Sequence, residues 1–295
     1  MGYSISILET CGLNILLAFS VYATFMVGQF SLAQVGFWSI GAYVTGILTA
    51  LYGWTLVPSL AASAMLCACL GVLLGYPCLR IRGIYLALAT VAFAEVVRVF
   101  FHNLDLQTQV GGLMVGPGGP LGFRGIPVLT AWPQILVAVL LAIGLFAWLE
   151  RSRVGLSARA IAEDEIAAAC AGINIVALKV GMFALGAAIA AVGGGLYATY
   201  ISFVNSDNFG FHLALVSIFF VAVGGTERFF GPLLGAVLLT ILPEALRFLG
   251  DFRMIAYGLL VLAITVLFPR GLESAMHGRV AWRMRKPWQA AKPGI

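Results

Sequence analysis

Apolar runs of roughly 20 residues recur along the chain and are separated by short polar or glycine-rich connections. About 20 consecutive apolar residues suffice to cross a bilayer as a helix, whereas a transmembrane barrel shows short segments of alternating polarity. The continuous runs therefore predict an all-α polytopic membrane protein with about nine transmembrane helices, within a range of roughly eight to ten. The predicted spans are residues 7–27, 31–53, 56–76, 84–102, 134–150, 177–203, 212–226, 231–249 and 254–269.

The composition supports residence in a membrane. Hydrophobic residues make up 61% of the chain and only 10% are charged, whereas a typical soluble domain has about 25% charged residues. The formal net charge is +5. In a membrane protein this excess marks the cytoplasmic side rather than a nucleic-acid surface. We therefore expect no nucleic acid among the partners of this chain.

The distribution of basic residues predicts the orientation. If the polar segment 151–179 is cytoplasmic, the alternation of spans puts all but four of the 17 Lys and Arg residues on the same side. The other four are Arg98, Arg124, Arg247 and Arg253. This asymmetry follows the positive-inside rule, so the N-terminus is predicted outside and the C-terminus in the cytoplasm.

The chain is expected to divide into a transmembrane domain, residues 1–270, and a basic cytoplasmic tail, residues 271–295. Within the domain, the periplasmic loop 103–133 is too rich in Gly and Pro for a continuous helix. Its apolar members predict that it folds against the outer mouth of the bundle. The loop 151–176 is polar and cytoplasmic. The tail is read as an anchor that fixes orientation, with binding to anionic membrane lipid as the alternative.

Catalytic and metal-binding patterns are not visible in the sequence. The five cysteines lack the spaced Cys or His partners of a zinc site and are read as small packing residues. There is no Ser/His/Asp arrangement and no G-x-x-x-x-G-K-[ST] phosphate loop. We expect no catalytic residue, no metal and no cofactor in this chain, which is therefore predicted not to be an enzyme.

The stretch Ser152–Asn174 is a long charged segment between the two apolar halves of the chain. It combines charges with an alanine run, which predicts a short amphipathic helix outside the bilayer. A helix with a small face and charged flanks suits a socket on a soluble partner, and a solvated loop with incidental charges is the alternative. The candidate contact residues are Arg159, Glu163, Asp164, Glu165, Ala167, Ala168 and Gly172.

Charged and polar residues inside the predicted spans are candidates for a transport path. Two pairs, Glu95 with Arg98 and Glu244 with Arg247, have the i,i+3 spacing that lets side chains neutralise each other on one helix face. Each pair is read first as a structural ion pair and second as a contact for a solute. A polar cluster at the inner end of the second span can serve as interhelical glue or as part of the path. It consists of Gln29, Ser31 and Gln34.

Four stretches of the chain resemble the LivM-like permease subunits of branched-chain amino-acid ABC importers. They are Gly28–Tyr43, Leu79–Arg98, Ser152–Asn174 and Val223–Arg247, and they occur in the order found in that family. The resemblance implies a multi-pass subunit of an ATP-driven importer in the bacterial inner (plasma) membrane. It also implies that ATP and Mg²⁺ are bound by partners. Those partners are a homologous LivH-like permease, two cytoplasmic ATPase subunits and a periplasmic solute-binding protein.

The resemblance also gives the charged segment a role. Its position is similar to that of the coupling helix that docks on the ATPase, where ABC permeases carry a Glu-Ala-Ala, then Gly pattern. Ala167, Ala168 and Gly172 keep that spacing, but Ile166 stands in place of the glutamate. We expect the small face of Ala167, Ala168 and Ala171 to enter a cleft on the ATPase, Gly172 to end the helix, and the neighbouring charges to pair with the partner.

The implied cargo is a branched-chain amino acid, or a related small carboxylate or amide. Similar permeases belong to importers of urea, short amides and aromatic acids, and the solute-binding protein sets much of the specificity. The alternative function is an ion-coupled secondary transporter of small polar solutes. That alternative needs an intramembrane carboxylate relay, for which Glu95 and Glu244 are the candidates.

Overall fold

The computed structural model describes residues 2–78, 81, 83–110, 113–268 and 271–273. These residues are mostly helical. The helices are α1 (Gly2–Phe25), α2 (Gln34–Ala50), α3 (Leu56–Cys78), α4 (Ile84–Asn103), α5 (Trp132–Arg151), α6 (Arg153–Glu163), α7 (Glu165–Cys170), α8 (Ile175–Ile201), α9 (Phe211–Gly224), α10 (Phe230–Ala245) and α11 (Arg253–Leu267). Short 3-10 turns occupy Gly119–Leu121, Ser206–Phe209 and Leu246–Phe252.

Each of the nine predicted spans coincides with one of these helices, and α6 and α7 form the predicted polar segment. In the described residues, six helices are long and apolar enough to cross a membrane. They are α1, α3, α4, α5, α8 and a segment that begins with α10. The other three predicted spans are α2, with 17 residues, α9, with 14, and α11, with 15. The structure therefore supports six spans, and the predicted number of nine stays a prediction.

The helix α8 lies at the centre of the bundle and packs against α1, α2 and α3. Its contact with α2 depends on glycine, because a Cβ atom on Gly194 would lie 2.0 Å from the Trp38 carbonyl oxygen. A Cβ atom on Gly41 of α2 would likewise lie 2.3 Å from the Ala191 carbonyl oxygen. The two backbones can approach this closely only without side chains, as is usual between helices in membranes.

The Gly- and Pro-rich loop after α4 contains a small antiparallel sheet. Its strands are β1 (Thr108–Val110), β2 (Leu113–Pro117), β3 (Phe123–Arg124) and β4 (Phe203–Val204), in the order β1-β2-β3-β4. The last strand follows α8, about 80 residues later, and pairs with β3. Phe123 is fully buried. Its ring packs on α2, because a Cβ atom on Gly46 would lie 2.7 Å from the Phe123 ring. The loop is thus folded against one end of the bundle.

The contacts sort the helix ends into two groups. At one end, called here the sheet end, Arg98 of α4 meets Asp207, and Thr130, which precedes α5, meets Thr199 of α8. At the other, called the hairpin end, the end of α1 meets α6, since a Cβ atom on Gly28 would lie 3.2 Å from Ala162. This arrangement agrees with the alternation of spans in the sequence. Which end faces the cytoplasm stays a prediction, and residues 274–295 of the predicted tail lie outside the described residues.

Candidate functional site

The helices α6 and α7, called here the α6–α7 hairpin, lie between α5 and α8 in the chain and pack against each other and against both of these helices. Ser152 begins α6, and its hydroxyl oxygen accepts a hydrogen bond from the Gly155 backbone N–H at 3.3 Å. Asp164 separates the two helices, and its carboxylate accepts from the N–H groups of Ile166 (2.8 Å) and Ala167 (3.1 Å). Both helices therefore start with a side-chain cap, which satisfies donors that a helix start leaves free.

Gly172 ends α7, as the sequence predicts. Its φ is +81°, a left-handed conformation that favours glycine. The Gly172 N–H donates to the Ala169 carbonyl at 2.9 Å, and the Ile173 N–H donates to the Ala168 carbonyl at 3.1 Å. This pair of hydrogen bonds is a Schellman motif. A helix of only six residues is thus defined at both ends by capping.

The outward face of α7 differs from the predicted small face. Ala168 is only 3% exposed, so it packs within the chain and is not available to a partner. This corrects the prediction that Ala168 enters a cleft on another protein. Ala167 and Ala171 are exposed as predicted. Ile166, which precedes Ala167 in α7, is 77% exposed.

Two of the predicted contact charges already have partners within the chain. Glu165 forms an ion pair with Lys179 of α8, a lysine that is largely buried. Arg159 of α6 forms an ion pair with Glu150 of α5 at 3.3 Å. Glu163 is exposed. The charges at Arg159 and Glu165 therefore hold the hairpin to the bundle, and Glu163 and the capping carboxylate of Asp164 remain on its surface.

A cleft separates α7 from the connection between α1 and α2. Its volume is about 390 Å³. Gln29 and Gly83 line one side, and the hairpin lines the other with Glu163, Asp164 and Ile166. The predicted polar cluster and the predicted partner-binding segment thus meet at the hairpin end.

The polar cluster lies inside the bundle. Gln29, Ser31 and Gln34 are all buried. The Ser31 hydroxyl accepts a hydrogen bond from the Ala33 N–H at 3.3 Å. The side-chain amide of Gln34 has no hydrogen-bond partner among the described residues, and neither has the Gln29 side-chain oxygen. A buried polar group without a partner costs about 1–3 kcal/mol, so these amides are candidates to meet a polar solute.

Both predicted i,i+3 ion pairs form. Arg98 contacts the Glu95 carboxylate at 2.5 Å, and it also contacts Asp207 at 2.6 Å, so the pair is part of a triad at the sheet end. Glu244 and Arg247 are 3.4 Å apart. The carboxylates of Glu95 and Glu244 are 48% and 33% exposed on the surface of this chain. A role of either pair in a transport path stays a prediction.

The sequence pattern does not indicate three carboxylates that are buried or largely buried among the described residues, Glu9, Glu150 and Glu273. Glu9 is buried in α1, and Glu150 is 10% exposed at the end of α5. One oxygen of Glu150 accepts hydrogen bonds from the Tyr22 hydroxyl at 2.7 Å and from the Phe229 N–H at 2.6 Å. Glu150 precedes Arg151 and a polar segment, so its position indicated a solvated helix end. Only its long-range partners reveal its burial.

Described residues hold no group of three His, Cys, Asp or Glu side chains that could bind a metal ion. Six helices of membrane-spanning length and composition among the described residues define the chain as a helical membrane protein. Residues 3–268 match the family described as branched-chain amino acid transport system / permease component. The chain belongs to this family, which confirms the resemblance noted in the sequence.

Two curated relatives agree with the family. The chain is 29% identical over 298 aligned positions to the high-affinity branched-chain amino acid transport system permease protein LivM of Salmonella typhimurium. It is equally similar to the protein of that name from Escherichia coli. Each alignment covers 88% of this chain and 66% of the relative, so the chain spans about two thirds of their length. No solved structure matches the chain.

The family and the helices together fix the broad assignment. The chain is a permease component of a transport system, and it is an inner-membrane protein with several spanning helices, as predicted. It is a transport component and not an enzyme. The energy source, the solute and the partner subunits go beyond this assignment.

Proposed function

We propose that this chain is the transmembrane subunit of an ATP-driven importer that moves branched-chain amino acids, or related small carboxylates or amides, into the cytoplasm. The family describes a component of a transport system, which favours an assembly of several subunits over a transporter that works alone. ATP and Mg²⁺ are bound by two separate cytoplasmic ATPase subunits. A homologous permease and a periplasmic solute-binding protein complete the importer.

The observation that carries this proposal is the α6–α7 hairpin. It is capped at both helix starts and closed by Gly172, so it presents a fixed shape rather than a mobile loop. Its surface exposes Ile166 and Ala167 beside the carboxylate of Glu163. An apolar centre with a charged rim is typical of a protein–protein interface. The ATPase is the soluble partner that an importer needs at this end of the bundle.

The path of the solute is proposed to pass the buried amides of Gln29 and Gln34. These amides have unused hydrogen-bonding groups among the described residues, and Gln29 opens into the cleft beside the hairpin. A zwitterionic amino acid leaving the membrane needs such groups to replace water. Because Gln29 and α7 line the same cleft, the exit of the proposed path lies next to the α6–α7 hairpin.

Co-purification of the complex tests the docking surface. The chain is expressed with the ATPase and permease genes of its own system, and a tagged chain is isolated from detergent extracts. Ala167→Arg places a large charge on the exposed face and is expected to release the ATPase while the membrane partner stays bound. Val128→Arg adds the same charge at the exposed sheet end and serves as the control. An ATPase that remains bound to Ala167→Arg would contradict the proposed docking site.

Uptake into proteoliposomes tests the energy source and the solute. Radiolabelled leucine is offered with the solute-binding protein, with ATP inside the vesicles and with ionophores that abolish ion gradients. ATP-dependent uptake that resists ionophores supports the importer. Uptake that needs an ion gradient and no ATP would instead establish ion-coupled transport, and competition by urea or an aromatic acid would change the solute class.

A further inference from the structure

One buried carboxylate joins the hairpin to the core of the bundle. Glu150 lies in the last turn of α5 and its side chain is 10% exposed. A single oxygen, Oε1, accepts two hydrogen bonds and lies near one cation, and these three groups come from three other parts of the chain. They are the Tyr22 hydroxyl of α1 at 2.7 Å, the Phe229 N–H at the start of α10 at 2.6 Å and the Arg159 guanidinium of α6 at 3.3 Å.

The three contacts differ in kind. The Tyr22 and Phe229 contacts are short hydrogen bonds that hold the carboxylate to α1 and α10. The Arg159 contact is an ion pair without a hydrogen bond, because the buried Nη2 atom of Arg159 has no hydrogen-bond partner among the described residues. It therefore depends on the charges and can open while the two hydrogen bonds of Glu150 stay in place. The two hydrogen bonds therefore hold Glu150 against α1 and α10, and its ion pair with Arg159 connects it to the hairpin.

The turn between α5 and α6 brings this link into place. A Cβ atom on Gly155 would lie 2.2 Å from the Leu149 carbonyl oxygen and 2.9 Å from the Glu150 Cα atom. The first turn of α6 thus packs directly on the last turn of α5, which only glycine permits. Arg159 follows Gly155 by four residues and lies on the same face of α6, so it is directed back to Glu150.

A second carboxylate reinforces the α10 side of the contact. Glu273 is buried, and its Oε2 atom accepts a hydrogen bond from the Arg228 N–H at 3.0 Å. Glu150 and Glu273 together hold two consecutive N–H groups at the start of α10, where the helix dipole favours negative charge. The N-terminus of α10 is therefore tied to the same site as the hairpin.

We propose that Glu150 is a positioning residue that transmits movement of the α6–α7 hairpin to α1 and α10 through its ion pair with Arg159. This inference rests on the proposed function, because the movement comes from the docked ATPase. Without this link the hairpin still binds the ATPase through Ile166 and Ala167, but ATP-driven movement no longer reaches the core helices. Glu150 acts through its contacts and does not touch ATP or the solute.

The test uses the whole complex and a reporter in the core. Asn14 of α1 donates a hydrogen bond to Thr240 of α10 at 2.8 Å, so Asn14→Cys reports on movement between these two helices. The native cysteines are replaced by alanine, and the rate of maleimide labelling at position 14 is compared without nucleotide and with ATP plus vanadate. Glu150→Gln keeps an oxygen for the Tyr22 and Phe229 donors and removes only the charge, which limits damage to the fold.

We expect ATP plus vanadate to change the labelling rate at least about fivefold in the parent complex and to leave it unchanged in Glu150→Gln. Arg159→Gln breaks the same link from the hairpin side, so it and the double variant are expected to show the same loss as Glu150→Gln. Arg153→Gln removes an exposed charge from α6 and serves as the control, with a normal response.

The outcomes separate this inference from the proposed function. A full response in Glu150→Gln or Arg159→Gln with the ATPase bound overturns the role of Glu150, as does a parent complex in which position 14 does not respond. Loss of the ATPase from these variants would show that the pair serves docking, and would also overturn it. Absence of an ATPase from the parent preparation would remove the proposed function itself.

Discussion

Lys179 in α8 forms an ion pair with Glu165 in α7, and the lysine side chain is only 10% exposed. This pair joins α8 to a six-residue helix in which Ala168 is the buried residue. Lys179→Met leaves the carboxylate without that cation, and we expect the free energy of unfolding to fall by about 1–3 kcal/mol. The loss lies below the 3–5 kcal/mol of a fully buried pair, because Glu165 is partly exposed and can be rehydrated.

Denaturant or thermal unfolding in detergent measures this effect. Arg153→Met removes an exposed cation from α6 and is expected to change the free energy of unfolding by less than about 0.5 kcal/mol. Equal stabilities of the Lys179 and Arg153 variants would show that the pair does not anchor α7.

Replacing glycine by alanine is expected to have opposite effects on the free energy of unfolding at the C-terminal cap of α7 and inside α8. Gly172→Ala forces alanine into a φ of +81° and is expected to lower the free energy of unfolding by about 1 kcal/mol. Gly181→Ala, in the second turn of α8, is expected to raise it by about 0.5–1 kcal/mol, because alanine is the better helix former. An added Cβ meets nothing within 4 Å at either position. Similar effects of the two substitutions in the same unfolding assay would contradict the cap.

The carboxylate of Asp164 has a capping role that can be separated from its charge. Asp164→Ala removes the acceptor for the Ile166 and Ala167 N–H groups and is expected to destabilise the hairpin by about 1 kcal/mol. Asp164→Asn keeps a good capping acceptor, so stability should be near that of the parent. Hydrogen exchange at Ile166 and Ala167 measures the difference. Protection that is equally lost in both variants would rule out capping as the reason for this residue.

Glu273 gives the chain a pH dependence. Burial raises the pKa of this carboxyl above its ordinary value of 4.5, and the nearby charges of Glu227 and Glu150 raise it further, against a hydrogen bond from the Arg228 N–H. The folded state therefore holds the proton more tightly than the unfolded state. The protonated Glu273 side chain therefore contributes to the free energy of unfolding at low pH. This contribution is lost as the pH rises from about 4.5 through the raised pKa.

Glu273→Gln is expected to remove this part of the pH dependence and to be at least as stable as the parent near pH 7, because glutamine keeps the acceptor without the buried charge. Unfolding temperatures measured in detergent from pH 4.5 upward check this. A variant with the same pH slope as the parent, or one that is clearly less stable at neutral pH, would contradict the account.

The sequence predicts the helices of this protein well because continuous apolar runs have few other solutions in a membrane. It also predicts local features, such as the Gly172 cap and the i,i+3 pair of Glu95 and Arg98, since both depend on residues close in the chain. The sheet at the end of α4 was not predicted. Its fourth strand, at Phe203, comes from the far side of α8, and strands of two residues carry no periodic signal.

The candidate site was predicted only in outline. The sequence indicates that α6 and α7 are polar and separate from the spans, but it does not show which charges stay inside the chain. The sequence predicts that Arg159 and Glu165 pair with another protein, whereas the structure pairs them with Glu150 and Lys179 of this chain. Those contacts depend on how α6 folds back on α5. Ala168 was misplaced for the same reason, because the face that α7 buries depends on its packing against the bundle.

The most direct test of the central claim is photo-crosslinking from α7 in intact membranes. A photoreactive residue replaces Ile166, which is 77% exposed, or, as the matched control, Ala168, which is 3% exposed. If the hairpin docks on an ATPase, illumination gives a covalent adduct of the two proteins from position 166 and little or none from position 168. A position 166 variant that assembles normally and gives no adduct with an ATPase would contradict the claim.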